Sequence, residues 1–261
     1  MYIFDSLTHI SLGKNILWNY SEANLNHLLK EMENSLVKRA IVCHIDPLEP
    51  GSRKNFVELI SNSDNLFAFG TINCSSSNEI RSEIKELKEN GYIGIKVHPR
   101  FQELPGHGDW LVNILTEAAS QDMVVAYCTY CFNRLDKVTG NPELLLFNSI
   151  AKVPESKIIL MHGGGIDLLR YSEIVRHSNN LLLDISFTMC KYAGSSLDLD
   201  IEFLFQNFDR KICVGSDYPD FSPNELTTRF HRFSLGIDDD KIKRIAHLNL
   251  ENFLNINTLT F

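Results

Sequence analysis

No run of apolar residues in this chain approaches the roughly 18 needed to cross a bilayer, so nothing in it points to a membrane span. Positive charge is also short: 25 Lys and Arg stand against 33 Asp and Glu, a formal net charge of -8. A nucleic-acid partner is therefore not expected, because phosphate binding needs a basic face. The opening Met1-Tyr2-Ile3-Phe4-Asp5 lacks the basic head and small-residue cleavage site of a signal peptide. Cysteines number six and are scattered, with Cys43 and Cys213 inside apolar runs, a pattern of reduced core residues that leads to the expectation of a cytoplasmic protein. Cys128 and Cys131 form a C-x-x-C without a thioredoxin-like context, and packing is the default for both. Internal repeats and low-complexity tracts are missing, and the polar loop Cys74–Asn78 is too short for a linker, so residues 1–261 read as one domain.

What the chain does have is a large apolar fraction, 44% of its 261 residues, in regularly spaced short runs. Tyr2–Asp5, Arg39–Cys43, Leu66–Thr71, Ile93–Val97, Met123–Cys128, Lys157–Met161, Leu181–Ile185 and Lys211–Val214 are candidate strands. Most are apolar on both faces, as parallel strands covered on both sides should be. The segments between them are long enough for crossover helices. In Glu79–Asn90, Ile80, Ile84 and Leu87 keep helical spacing, and Gly91 follows where a helix would end. About eight strand-then-helix units predict an α/β fold, a distorted (β/α)8 TIM barrel, and the length matches the roughly 250 residues typical of one. An open doubly wound sheet is the rival, but no G-x-G-x-x-G follows the first strand. A helix from about His247 to Leu254 is expected to close the barrel.

In a parallel barrel the residues just after each strand share one rim and line one pocket. Here those positions hold Asp5, Leu7 and His9 after the first strand, and Lys96, His98 and Arg100 after the fourth. Tyr127 to Cys131 follow the fifth, His162 with Gly163–Gly165 the sixth, and Asp217 with Tyr218 the eighth. Imidazoles and a carboxylate from separate strands suit a divalent metal, or Asp217 and a histidine a metal-free proton-transfer pair. Arginine at position 100 suits a bidentate grip on a carboxylate. Each residue also has a plain structural reading. A single strand-end histidine is more often hydrogen-bonded scaffold, and an aspartate in G-S-D-Y-P is more often a turn residue. Lys96 can be a buried-stem structural lysine with Arg100 in solvent. Gly163–Gly165 can offer N–H groups to an anion or only permit a tight turn. His107, between two glycines, is a candidate for the pocket rim.

Taken in order, Phe4-Asp5-Ser6-Leu7-Thr8-His9, Gly94-Ile95-Lys96-Val97-His98-Pro99, Met161-His162-Gly163-Gly164 and Gly215-Ser216-Asp217-Tyr218-Pro219 resemble the amidohydrolase superfamily. The likeness is to its amidohydrolase-related TIM-barrel branch of aminocarboxymuconate-semialdehyde decarboxylase-like and dicarboxylate lactonase-like enzymes, and it runs from about residue 4 to residue 254. It implies His9, His162 and Asp217 as metal ligands, zinc being the first choice of metal, and Asp217 and His162 as catalytic. It further implies Lys96, His98, Arg100 and Tyr218 as contacts to a small anionic substrate. The family pattern D-x-H-x-H is broken by Leu7, which cannot ligate, and the fifth-strand histidine is replaced by Tyr127 or Cys128. The site expected is thus a weakened one-metal centre or a metal-free one. The activity expected is hydrolysis of a C–O or C–N bond, a lactone among the candidates. Non-oxidative decarboxylation and a non-catalytic, metabolite-binding barrel are the alternatives, and a homodimer is open.

Overall fold

The structure is a computed structural model and describes residues 1–12, 23–44, 53–72, 77–130 and 140–259. Cys131 and most of the Cys74–Asn78 loop lie outside the described residues. Eight strands run in order: β1 Ile3–His9, β2 Val37–His44, β3 Leu66–Gly70, β4 Gly94–Val97, β5 Val124–Cys128, β6 Ile158–Met161, β7 Leu181–Asp184 and β8 Ile212–Cys213. Each pairs in parallel with its sequence neighbour in a single sheet, β1-β2-β3-β4-β5-β6-β7-β8. The last strand meets the first through Ser6 N–H to Val214 O (3.0 Å), Asp217 N–H to Leu7 O (3.0 Å) and His9 N–H to Tyr218 O (2.7 Å). This is the (β/α)8 barrel that the apolar runs predict, with helices such as Ser77–Glu89, Trp110–Ser120 and Pro142–Lys152 as crossovers. Among the described residues no helix is long and apolar enough to cross a membrane.

Strand alternation sorts the buried side chains into two shells. Ile95, Val97, Val125, Tyr127, Leu160 and Leu183 pack outward under the helices, burying Ile80, Ile84 and Leu87 of the third crossover. Ile41, Cys43, Phe69, Val124, Ala126, Ile159, Met161, Leu182 and Cys213 fill the barrel interior. Gly94 belongs to this filling, because a Cβ there would lie 2.3 Å from the Phe69 ring. Leu250 of the last helix, Asn249–Leu254, plugs the same interior. A π-helical turn over Arg244–Leu248 precedes it, where a continuous helix from His247 was expected.

β1 departs from simple alternation. Asp5 pairs with Ala40 and Thr8 with Val42, so three steps on β1 face two on β2, the count of a bulge. Phe4 and Leu7 both join the interior cluster as a result. The fully buried Asp5 then reaches across to β8: its carboxylate accepts from Ser216 N–H (2.9 Å), Ser216 O–H (2.6 Å) and Leu7 N–H (3.1 Å).

Burial raises the Asp5 carboxyl from 3.8 to about 7, against the pull of these hydrogen bonds. Between those two values the folded chain holds a proton that the unfolded chain has released, so this group's contribution to stability falls as pH rises through that window. Asp5→Asn removes the titration. Its stability relative to the parent should improve between about pH 4 and pH 7 and level off above, as read by denaturant melts across that range.

Candidate active site

At the carboxyl ends of the strands lies a cavity of about 200 Å³, and it gathers residues from six separate strand ends. His9 comes from β1, and Lys96, His98, Arg100 and Phe101 from β4 and the turn after it. Tyr130 follows β5, His162 follows β6, Phe187 and Lys191 follow β7, and Asp217 and Asp220 follow β8. Strand-end convergence, inferred from spacing alone, therefore brings His9, Lys96, His98, Arg100, His162 and Asp217 together.

Asp217 sits between two imidazoles, 3.5 Å from His9 Nε2 and 3.9 Å from His162 Nδ1. Burial pushes its carboxyl up, but the His9 hydrogen bond and the charges of His162, His9 and Lys96 outweigh this and hold it well below the usual range. His162 is oriented from behind: its Nδ1 lies 3.3 Å from the Ser186 carbonyl, and its backbone N–H reaches Asp184 (3.4 Å). Burial opposes charge on His162, yet Cys128 and Asp217 raise its pKa above the ordinary value. His98 goes the other way, to about 4, chiefly through burial. Burial lifts Asp220 as well, with Asp217 adding to the effect.

Cys128, and not Tyr127, is the fifth-strand residue turned toward the site. Tyr127 packs outward, 3.4 Å from the Pro142 carbonyl. The Cys128 thiol is 1% exposed, is influenced by His98 and His162, and lies 4.0 Å from an Arg100 nitrogen. Burial would raise its pKa, but those two histidines leave it well below the thiol norm. The Arg100 guanidinium is set between the rings of Phe101 (5.3 Å) and Tyr130 (5.0 Å).

Three residues of the cavity wall carry left-handed backbone without being glycine: His162 (φ 66°), Phe187 (φ 62°) and Asp217 (φ 60°). Such conformations cost about 1–3 kcal/mol each and persist where the surroundings enforce them, which is commonest at functional sites. Phe187 packs edge-on against His162 and Tyr130. Nothing in the residue types forecasts a phenylalanine with positive φ, so it escapes sequence reasoning, as do Lys191 and Phe101. Asp220 had a faint signal as the second carboxylate of Asp217-Tyr218-Pro219-Asp220.

Several residues expected at the site are elsewhere. Tyr218 does not line the cavity; it is 3% exposed and its hydroxyl meets His27 Nδ1 at 2.7 Å. His107 is exposed and does not line the cavity. Gly163–Gly165 make a tight turn in place of an anion cradle: the Gly164 N–H is taken by Thr129 Oγ1 (2.7 Å), and a Cβ there would lie 2.2 Å from Tyr171.

The metal implied for His9, His162 and Asp217 finds no matching donor set. Among the described residues no three His, Cys, Asp or Glu side chains converge as a metal site. Leu7 belongs to the interior apolar cluster with 0% exposure, and Cys128 does not line the cavity. The buried atoms of the wall that lack partners are Lys96 Nζ, His98 Nδ1 and Arg100 Nε, and the two on fixed cations can only donate. Atoms of that kind ask for an anion. The residues present do not fit a metal.

A family model described as Amidohydrolase matches residues 53–256. No curated protein matches the chain. Among solved structures, an uncharacterised TIM-barrel protein of Bordetella bronchiseptica superposes with a TM-score of 0.81 at 14% identity, over 98% of this chain and 99% of that one. A probable 2-pyrone-4,6-dicarboxylic acid hydrolase of Acinetobacter baumannii, with citric acid bound, gives 0.68 at 15% identity, covering 98% and 100%. The 5-carboxyvanillate decarboxylase of Novosphingobium aromaticivorans, in complex with manganese and a nitrobenzoic acid, gives 0.59 at 11%, covering 97% and 96%. At these identities the likeness is one of fold.

Two measurements check this geometry. Leu7→His should lower stability by about 1–3 kcal/mol, because the imidazole would be buried among apolar interior groups without a partner. It should also acquire no stoichiometric zinc by elemental analysis, whereas a tightly bound zinc would mean that the interior can open a ligand position there. Separately, on raising the pH the thiolate ultraviolet band should appear in the parent below the range of an ordinary thiol and be lost in Cys128→Ser; equal titrations would show that Cys128 is an ordinary thiol.

Proposed function

We infer the function from one premise: the chain belongs to the amidohydrolase family. Within that family we propose a hydrolase of C–O or C–N bonds in a small anionic metabolite, with a carboxylate-bearing lactone or cyclic amide as the substrate class. The reading is carried by one observation, an ionised Asp217 held between His9 and His162 in a cavity lined by Lys96 and Arg100, each with a buried unpartnered nitrogen. The substrate's carboxylate would meet the Arg100 guanidinium, which its two flanking rings hold in place. Lys96 and the charged His162 would stabilise the oxyanion as water adds to the carbonyl.

Asp217 takes the proton of that water. At rest it is a weak base, because the cationic partners around it hold its pKa down. As His162 discharges toward the developing oxyanion, one of those charges disappears and the carboxylate becomes more basic. Asp220, raised by burial and by its neighbour Asp217, is the group that would protonate the leaving atom. Two carboxyls whose surroundings drive their pKa values apart divide the acid and base roles. The same raised Asp220 favours a second reading, non-oxidative decarboxylation, in which its acid form would supply the proton that replaces carbon dioxide. The family's divalent metals are absent from either scheme, since the donor set does not suit one.

A panel of cyclic esters, cyclic amides and aromatic acids, each bearing a carboxylate, tests the proposal with protein assayed before and after chelator treatment. Turnover of a ring substrate should survive chelation and fall by about 10²–10⁴-fold in Asp217→Asn. Arg100→Lys should act mainly on KM. The rate should decline as pH rises through the raised Asp220 pKa, because the acid is active only when protonated. Carbon dioxide release without ring opening would select the decarboxylase. Binding of the panel with no turnover would leave a metabolite-binding barrel and overturn the enzymatic reading.

A further inference from the structure

Lys96 is the most deeply buried cation of the cavity, with 0% exposure, and its Nζ has no hydrogen-bond partner. It is mounted on β4, paired to β5 through Lys96 and Ala126, and therefore held by the rigid part of the barrel and not by a loop. Most buried lysines find a carboxylate or carbonyl, since an ammonium taken from water without one is strongly disfavoured. The same cavity wall carries Arg100, His98, Asp217 and Asp220, and none of them hydrogen-bonds its Nζ. Asp217 interacts with it through charge and not through a hydrogen bond. A primary amine left free, fixed and enclosed beside a carboxylate-binding guanidinium has the layout of a covalent carbonyl site.

We propose that Lys96 forms an imine with the carbonyl of a small 2-oxo acid whose carboxylate is bound by Arg100. This goes beyond hydrolysis and needs no bond to be hydrolysed. Nζ attacks the carbonyl carbon and a new C–N bond forms. Asp217 relays protons from nitrogen to oxygen, the C–O bond breaks, and the oxygen leaves as water. The ammonium brings three hydrogens, two of which depart in that water and one of which stays on the iminium nitrogen, so charge and protons balance without a co-reactant. The iminium is then an electron sink. When Asp217 removes a proton from the adjacent carbon, the C–H electron pair forms a C=C bond and the C=N pair returns to nitrogen, giving an enamine.

Pyruvate is a suitable probe. The full-length protein is incubated with pyruvate and borohydride, which reduces the imine to a stable secondary amine, and the adduct is located by peptide mass mapping. One adduct per chain at Lys96, saturating with pyruvate concentration and missing from Lys96→Arg, is the expected result. In deuterated water without borohydride, the pyruvate methyl group should also exchange faster with the parent protein than with Lys96→Arg. Circular dichroism establishes that the variant is folded, and Lys96→Met replaces it if it is not. Adducts confined to exposed lysines, at equal rates in parent and variant, overturn the proposal. The hydrolase reading stands or falls separately, on Asp217→Asn and ring opening.

Discussion

Barrel closure is the constraint on which everything else in this molecule depends. A sheet of eight strands has two edges, and they must meet with few residues, because β8 is only Ile212–Cys213. Asp5 makes the join by taking three hydrogen bonds, two of them from Ser216 on the far edge. That tie draws the turn after β8 over the end of β1, and the next two backbone bonds set Asp217 opposite Leu7 and Tyr218 opposite His9. Asp217 and its imidazole partner His9 are therefore neighbours because the barrel closes there. A carboxyl buried at this seam is a poor anion, which is why its pKa rises to about 7, but its three donors keep the geometry in either protonation state.

Above the seam, charge is arranged for something that the chain does not itself provide. Negative charge is concentrated on Asp217 and satisfied by histidines, while Lys96 and Arg100 reach the cavity with donors to spare. Beside these protein cations the fifth strand contributes a buried thiol, Cys128, whose pKa His98 and His162 lower. Left-handed backbone at His162, Phe187 and Asp217 is the conformational counterpart of that arrangement. Each strained residue holds a side chain at the cavity, and the stability of the barrel below supplies what the strain consumes.

How much of this was legible in the residues follows from what periodicity can encode. All eight strands lie where the apolar runs place them, since a strand buried on both faces has no other composition. The convergence of His9, Lys96, His98, Arg100, His162 and Asp217 was legible too, because position after a strand decides location in a barrel. Tyr218 was not. Its order in the chain puts it at the rim, but its ring turns outward to His27, and alternation breaks down in a tight turn. Phe187 and Lys191 were invisible for a related reason: they reach the cavity through the segment after β7, whose course depends on tertiary packing. The lost ligand position at Leu7 was legible as well, since leucine cannot ligate, and among the described residues no metal-holding group forms there.

The bulge in β1 means that this strand's hydrophobic code is read in two frames. Up to Phe4 the inward positions fall on even numbers; from Leu7 onward they fall on odd ones. A slip of one residue is what lets a strand begin as ordinary barrel filling and finish by presenting His9 to a polar cavity, with Asp5 and Ser6 turned sideways in the transition to serve β8 and β7. A relative whose β1 lacked the extra residue could carry the same amino acids in the same order and still send its histidine under the helices. For this strand, then, insertion and deletion are the changes of consequence, and an alignment that hides a gap between Asp5 and Thr8 would mistake a change of face for conservation.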